Sequence, residues 1–110
     1  MTLPDDDYYS VIFTFKLTGV ESEVFMNSMA ELMDLATTFD GYLGEEGVRV
    51  EDGVSVFISY WKDEDAVKEF RDAPLHKEIR LVGKKRWFHA FDIHIGKVIR
   101  SYAFGEEIGK

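Results

Sequence analysis

Between Val54 and Trp61 the chain reads VSVFISYW, which puts Val54, Val56, Ile58 and Tyr60 on one side of an extended backbone and Phe57 and Trp61 on the other. A strand with apolar groups on both sides must be covered on both sides. The rest of the chain has to supply those two covers.

The stretch before it, Tyr42 to Val50, is another apolar-bearing run. Glu51-Asp52-Gly53 separates the two, with a glycine free to take positive φ, so a β-hairpin is predicted. From Tyr8 to Leu17 the residues Tyr9, Val11, Phe13, Phe15 and Leu17 alternate with Ser10, Ile12, Thr14 and Lys16, the period of a half-buried strand, which Gly19 ends. Ser22 then offers an N-cap, and Phe25, Met29, Leu32, Met33, Ala36 and Phe39 recur at helical spacing until Asp40-Gly41. Its Met and Phe stripe reads as core. After Trp61, Asp63 is placed to cap a second helix with Ala66, Val67 and Phe70 facing inward. Pro74 suits the first turn of a third, in which Leu75, Ile79 and Val82 form the apolar stripe and His76, Arg80 and Gly83 the flank. Lys84-Lys85-Arg86 reads as the cationic end of that helix. A last strand, residues 87–104, is expected to carry His89, Phe91, Ile93, Ile95 and Ile99 on one face and Asp92, His94 and Arg100 on the other. The order β-α-β-β-α(α)-β is the α+β, ferredoxin-like split β-α-β arrangement with an antiparallel sheet. Its helices cover one face. The other needs its own cover, and a second copy of the same sheet predicts an isologous homodimer.

A chain of 110 residues has room for one core, so residues 8–104 form a single expected domain, with 1–7 and 105–110 as polar, flexible ends. With 9 Phe, 5 Tyr and 2 Trp there is more aromatic surface than one small core needs, which points to a pocket or a partner. The net charge of -8 disfavours nucleic acid as a partner. The acidic start and the lack of any apolar run of about 18 residues predict no membrane association, and with no cysteine the chain fits a cytoplasmic location.

The sequence holds no G-x-S-x-G, no Gly-rich phosphate loop and no H-E-x-x-H. Its three histidines, at 76, 89 and 94, are not expected to bind metal, because on a strand His89 and His94 point to opposite faces. His89, among Phe91 and Ile93, is expected as a hydrogen-bonded core histidine. His76 and Arg80 stand one helical turn apart, where an arginine could hold a phenolate or carboxylate and a histidine could move a proton; a plain polar helix edge fits equally. Trp61, Trp87 and Tyr60 suit either a core or the wall of a pocket for a flat ligand.

Taken together, YYSVIFTF, DGYLGEEGVR, VSVFISYWKDEDAVKEFRDAPLH and KKRWFHAFDIHIGKVIRSYAF resemble the antibiotic biosynthesis monooxygenase family across residues 8–104. The Ser59-Tyr60-Trp61 strand end, His76 and the Arg86-Trp87 pair are the most specific points. The resemblance implies a dimeric α+β barrel with a pocket between sheet and helices in each protomer. It also implies oxidation of a small phenolic or quinone-like aromatic by molecular oxygen without metal, flavin or other cofactor. Tyr60, Trp61, Phe70 and Trp87 would then bind substrate, with His76 as base and Arg80 as phenolate partner. A second branch of the same superfamily degrades heme, using an asparagine on strand one, a helical tryptophan and an axial histidine. Here the sole asparagine is Asn27, on the first helix. The tryptophan position falls on Phe70, and the histidine falls at Arg80 or, with a one-turn slip, at His76. Heme binding or degradation is the alternative activity, and a non-catalytic dimeric ligand-binding module is the third reading.

Overall fold

The computed structural model describes residues 3–49 and 51–106. The expectation of flexible ends falls partly on residues 1–2 and 107–110, and the predicted end of the second strand on Val50; these lie outside the described residues. Strands β1 (Tyr8–Leu17), β2 (Tyr42–Arg49), β3 (Val54–Trp61) and β4 (Phe88–Val98) form one antiparallel sheet in the order β2-β3-β1-β4. Helices α1 (Ser22–Ala36), α2 (Glu64–Arg71) and α3 (Pro74–Val82) pack on one of its faces, giving the ferredoxin-like split β-α-β fold. Among the described residues no helix is long and apolar enough to cross a membrane.

Register decides which residues meet. Tyr9 pairs with Trp61 and with Lys97, Phe13 with Phe57 and Ile93, and Phe15 with Phe91, so these side chains share the helix-covered face. Phe15, Phe25, Leu32, Ala36, Trp61, Val67, Phe70 and Ile79 form the buried centre there. Ile12, Val54, Val56, Ile58 and Tyr60 point the other way and stay half-buried.

α2 begins as its sequence predicts. The Asp63 carboxylate accepts a hydrogen bond from the Ala66 backbone N–H at 2.8 Å, and Glu64 and Asp65 sit in the first turn. Replacing Asp63 by alanine is expected to lower stability by about 1 kcal/mol with the fold retained, measured by urea unfolding.

α1 begins differently. Ser22 does not cap it: its hydroxyl donates to the Gly19 carbonyl, and Glu21, held at φ 53°, occupies the capping position without a side-chain cap. The Glu21 carboxylate instead accepts from Arg86 Nε at 2.6 Å and Trp87 Nε1 at 3.3 Å. The helix also stops at Ala36, short of Phe39, because the Thr37 and Thr38 hydroxyls bond back to the Asp34 and Leu35 carbonyls.

The basic run Lys84-Lys85-Arg86 lies in a π-helical turn, Gly83–Trp87, that follows α3. In this turn the Phe88 ring lies where a Cβ on Gly83 would come within 2.5 Å of it. The last strand ends at Val98 and not at Phe104, because its ladder with β1 runs out where Tyr8 pairs with Val98. Beyond it, Ser101 donates to the Asp5 carbonyl from both its backbone and its hydroxyl, while Ile99, Tyr102 and Phe104 are exposed. His89 is exposed, contrary to the core role expected of it, because the ladder shifts register there: Ala90 pairs with Lys16 and Phe88 with Leu17, so Phe88 takes the inward place and His89 is the bulged residue.

Candidate active site

Between the sheet and the helices lies a cavity of about 550 Å³. That is within the usual range for a small-molecule site. Val11, Phe13, Phe57 and Trp61 form its floor, while Met29, Leu32 and Met33 from α1, Val67 and Phe70 from α2 and Ile79 from α3 form its roof. Phe91, Ile93 and Ile95 of β4 complete one side and remain 38%, 46% and 52% exposed. The charged wall belongs to α2 and α3, where Glu64, Lys68, Arg71, His76 and Arg80 line the edge, while the sheet adds Tyr9 and Ser59.

Of the six residues singled out in the sequence, the fold brings four together: Trp61, Phe70, His76 and Arg80 all line the cavity. Trp61 is 1% exposed, stacks on Phe70 with ring centroids 4.9 Å apart, and donates its indole N–H to the Ser59 hydroxyl at 2.9 Å. The Phe70 ring in turn lies 4.6 Å from the His76 imidazole. Tyr60 and Trp87 are elsewhere. Neighbours on a strand face opposite ways, so Tyr60 projects from the far side of the sheet, packing on Tyr8 and donating to Glu46 at 3.1 Å. Burial and then that carboxylate push its phenol up to about 12. Trp87 is buried against Phe25 at the π-helical turn and does not reach the cavity. Sequence reading missed Met29 and Met33, which line the cavity although the α1 stripe reads as core; Phe25, Leu32 and Ala36 are its buried members.

His76 and Arg80 have an architectural task as well. α3 side chains add to the capping of α2: His76 Nδ1 lies 3.1 Å from the Phe70 carbonyl, which also accepts from the Ala73 backbone N–H at 3.2 Å, and Arg80 Nη1 donates to the Arg71 carbonyl at 2.7 Å. A carbonyl only accepts, so Nδ1 carries the proton. In the neutral ring Nε2 is therefore the basic nitrogen. Burial, and secondarily the Arg80 charge, hold the His76 pKa below its ordinary value of 6.5 against the opposing pull of the Phe70 carbonyl. The histidine is thus neutral at neutral pH, with its free lone pair fixed by the fold.

A largely apolar cavity with one neutral histidine and the cationic Lys68, Arg71 and Arg80 on its edge can take a flat organic molecule, accept a proton from it and favour the resulting anion. The wall does not match the heme-degrading set: β1 presents Tyr9, Val11 and Phe13 to the cavity with no amide, and Phe70 has no N–H to offer. Among the described residues no group of three or more His, Asp or Glu side chains is placed to hold a metal ion.

The chain is a ferredoxin-like α+β domain whose helices roof a ligand-sized cavity, and comparison with known proteins gives its family. The profile of the antibiotic biosynthesis monooxygenase family matches residues 8–80. An uncharacterized Bacillus subtilis protein, YqjZ, is 33% identical over 104 residues, covering 94% of this chain and 90% of its own. The chain belongs to the antibiotic biosynthesis monooxygenase family. Solved structures share the fold at lower identity. Rv0793 from Mycobacterium tuberculosis has a TM-score of 0.75 at 13% identity, over 87% of this chain and 99% of its own. SnoaB from Streptomyces nogalater, a cofactor-independent oxygenase, has a TM-score of 0.68 at 15% identity, over 94% and 99%. The profile ends at Arg80, so the Arg86-Trp87 pair lies beyond the matched segment.

Proposed function

We propose that the protein is a cofactor-independent monooxygenase of a small phenolic or quinone-like aromatic, acting in the cytosol as an isologous homodimer. The observation that carries this reading is the neutral His76, its Nδ1 held by the Phe70 carbonyl, on the edge of a cavity whose floor and roof are mainly apolar. His76 Nε2 takes the phenolic proton and Arg80 stabilises the phenolate. The electron-rich ring then adds molecular oxygen at a carbon that also bears hydrogen. Loss of water from that hydroperoxide leaves a carbonyl, so one oxygen atom enters the product and the other leaves as water. The substrate supplies both electrons. Membership of the antibiotic biosynthesis monooxygenase family, and a fold shared with the cofactor-independent oxygenase SnoaB, support this reading. The half-buried Ile12, Val54, Val56 and Ile58 on the uncovered sheet face, with Ile99, Tyr102 and Phe104 exposed beyond it, support pairing with a second copy.

With an anthrone bearing phenolic hydroxyls as substrate, oxygen uptake is expected at one molecule per carbonyl formed, well above the buffer rate and unaffected by chelator. Uptake no faster than in buffer would leave the ligand-binding module as the better reading. Light scattering on the same sample is expected to give twice the mass of one chain, and a monomer would remove the pairing.

A further inference from the structure

The charged groups on the cavity edge run against the charge of the chain. The protein carries 13 Lys and Arg against 21 Asp and Glu, yet the cavity is lined by three cations, Lys68, Arg71 and Arg80, and by one carboxylate, Glu64. All four sit on the α2 and α3 side, beside His76, while the facing wall carries no charge. Lys68 meets Glu64 only at 3.7 Å with both side chains half exposed, a pair that contributes little and reorganises easily, whereas Asp72 holds Arg71 through two contacts, Nε–Oδ1 at 3.0 Å and Nη2–Oδ2 at 3.3 Å. Arg80 has no carboxylate at ion-pair distance among the described residues; its Nη1 holds the Arg71 carbonyl and its other N–H groups are free to bind.

We infer that this rim is an anion anchor, and that the ligand is an aromatic with an ionised carboxylate on the same edge as its phenolic hydroxyl, the edge that meets α2 and α3. The inference rests on the reading of the cavity as an aromatic site and adds the substrate's charge. An apolar cage by itself selects shape; a rim of cations beside it selects acids over their neutral analogues and speeds their arrival in a protein that otherwise repels them.

The test is calorimetric titration with 4-hydroxy-2-naphthoate and with its neutral amide, 4-hydroxy-2-naphthamide, which share ring and hydroxyl and carry both polar groups on one ring. The acid is expected to bind about tenfold more tightly at low salt, with the ratio shrinking in high salt. The ratio should fall several-fold in Arg80→Gln. Because Arg80 also supports the α2 end, Lys68→Gln/Arg71→Gln is measured beside it and should shrink the ratio as well. Equal binding of acid and amide, or an acid preference untouched in both variants, overturns the anchor while leaving the aromatic cavity standing. Binding of neither compound overturns the cavity reading itself, and the anchor with it.

Discussion

Replacing His76 by asparagine is expected to leave the protein folded and to lower kcat/KM for a phenolic substrate by about 100-fold or more, the usual size of a general base's contribution. The asparagine amide can occupy the position of Nδ1 and keep the donor to the Phe70 carbonyl, but it has nothing at the position of Nε2. His76→Gln and His76→Ala complete the comparison. Glutamine displaces the donor from the Nδ1 position, and alanine removes both nitrogens and the ring packed on Phe70. If the residue serves only to finish α2, asparagine restores activity and alanine does not. If it is the base, asparagine restores stability and not turnover. The pH profile is a second readout. Activity needs the neutral ring, so kcat/KM should rise with pH through an apparent pKa below 6.5 and then level off on this side. Stability follows the same group. Because the folded-state pKa is depressed, the unfolded chain takes up the proton first, and the folded state loses stability as pH falls below about 6.5. A wild-type acid limb that survives unchanged in His76→Asn would show that another group titrates.

Trp61→Ala is expected to produce the larger structural effect, a loss of about 3–5 kcal/mol. Trp61 is the largest fully buried side chain, and it stacks on Phe70 and packs edge-on against Tyr42. Alanine at this position opens the cavity floor into the core, so lost contacts and a new void add together. For a chain of this size the melting temperature should fall by about 12 °C or more. Trp61→Phe keeps most of the volume and loses the hydrogen bond to Ser59, so it should cost much less. A Trp61→Ala variant that melts within a few degrees of wild type would mean that the cavity wall is not part of the folding core.

The fold was legible in the sequence wherever a repeating pattern met a local signal. The alternation over Tyr8–Leu17 matched β1 residue for residue, and Asp63 and Pro74 marked helix starts by side-chain and ring chemistry that acts within one turn. Legibility failed where a distant partner intervened. Ser22 looked like a cap, but Glu21, drawn to Arg86 and Trp87 from the far end of the chain, set the backbone before α1 instead. The pattern of β4 ran on to Phe104, yet a strand lasts only as long as its neighbour, and β1 begins at Tyr8.

The candidate site divides in the same way. The pairing of His76 with Arg80 can be read from the chain alone, because i and i+4 on one helix are neighbours whatever surrounds them, and so can the two-sided apolar character of β3. Packing of separate elements sets the rest: both residues reach the end of α2, Nε2 is the basic nitrogen of His76, and Tyr60 and Trp87 stand outside the cavity while Met29 and Met33 stand within it. The difference is one of range. Periodicity and capping act over a turn or two of chain, whereas the wall of a cavity is set by which faces of separate elements are brought together. That depends on sheet register and helix packing, which no single segment encodes.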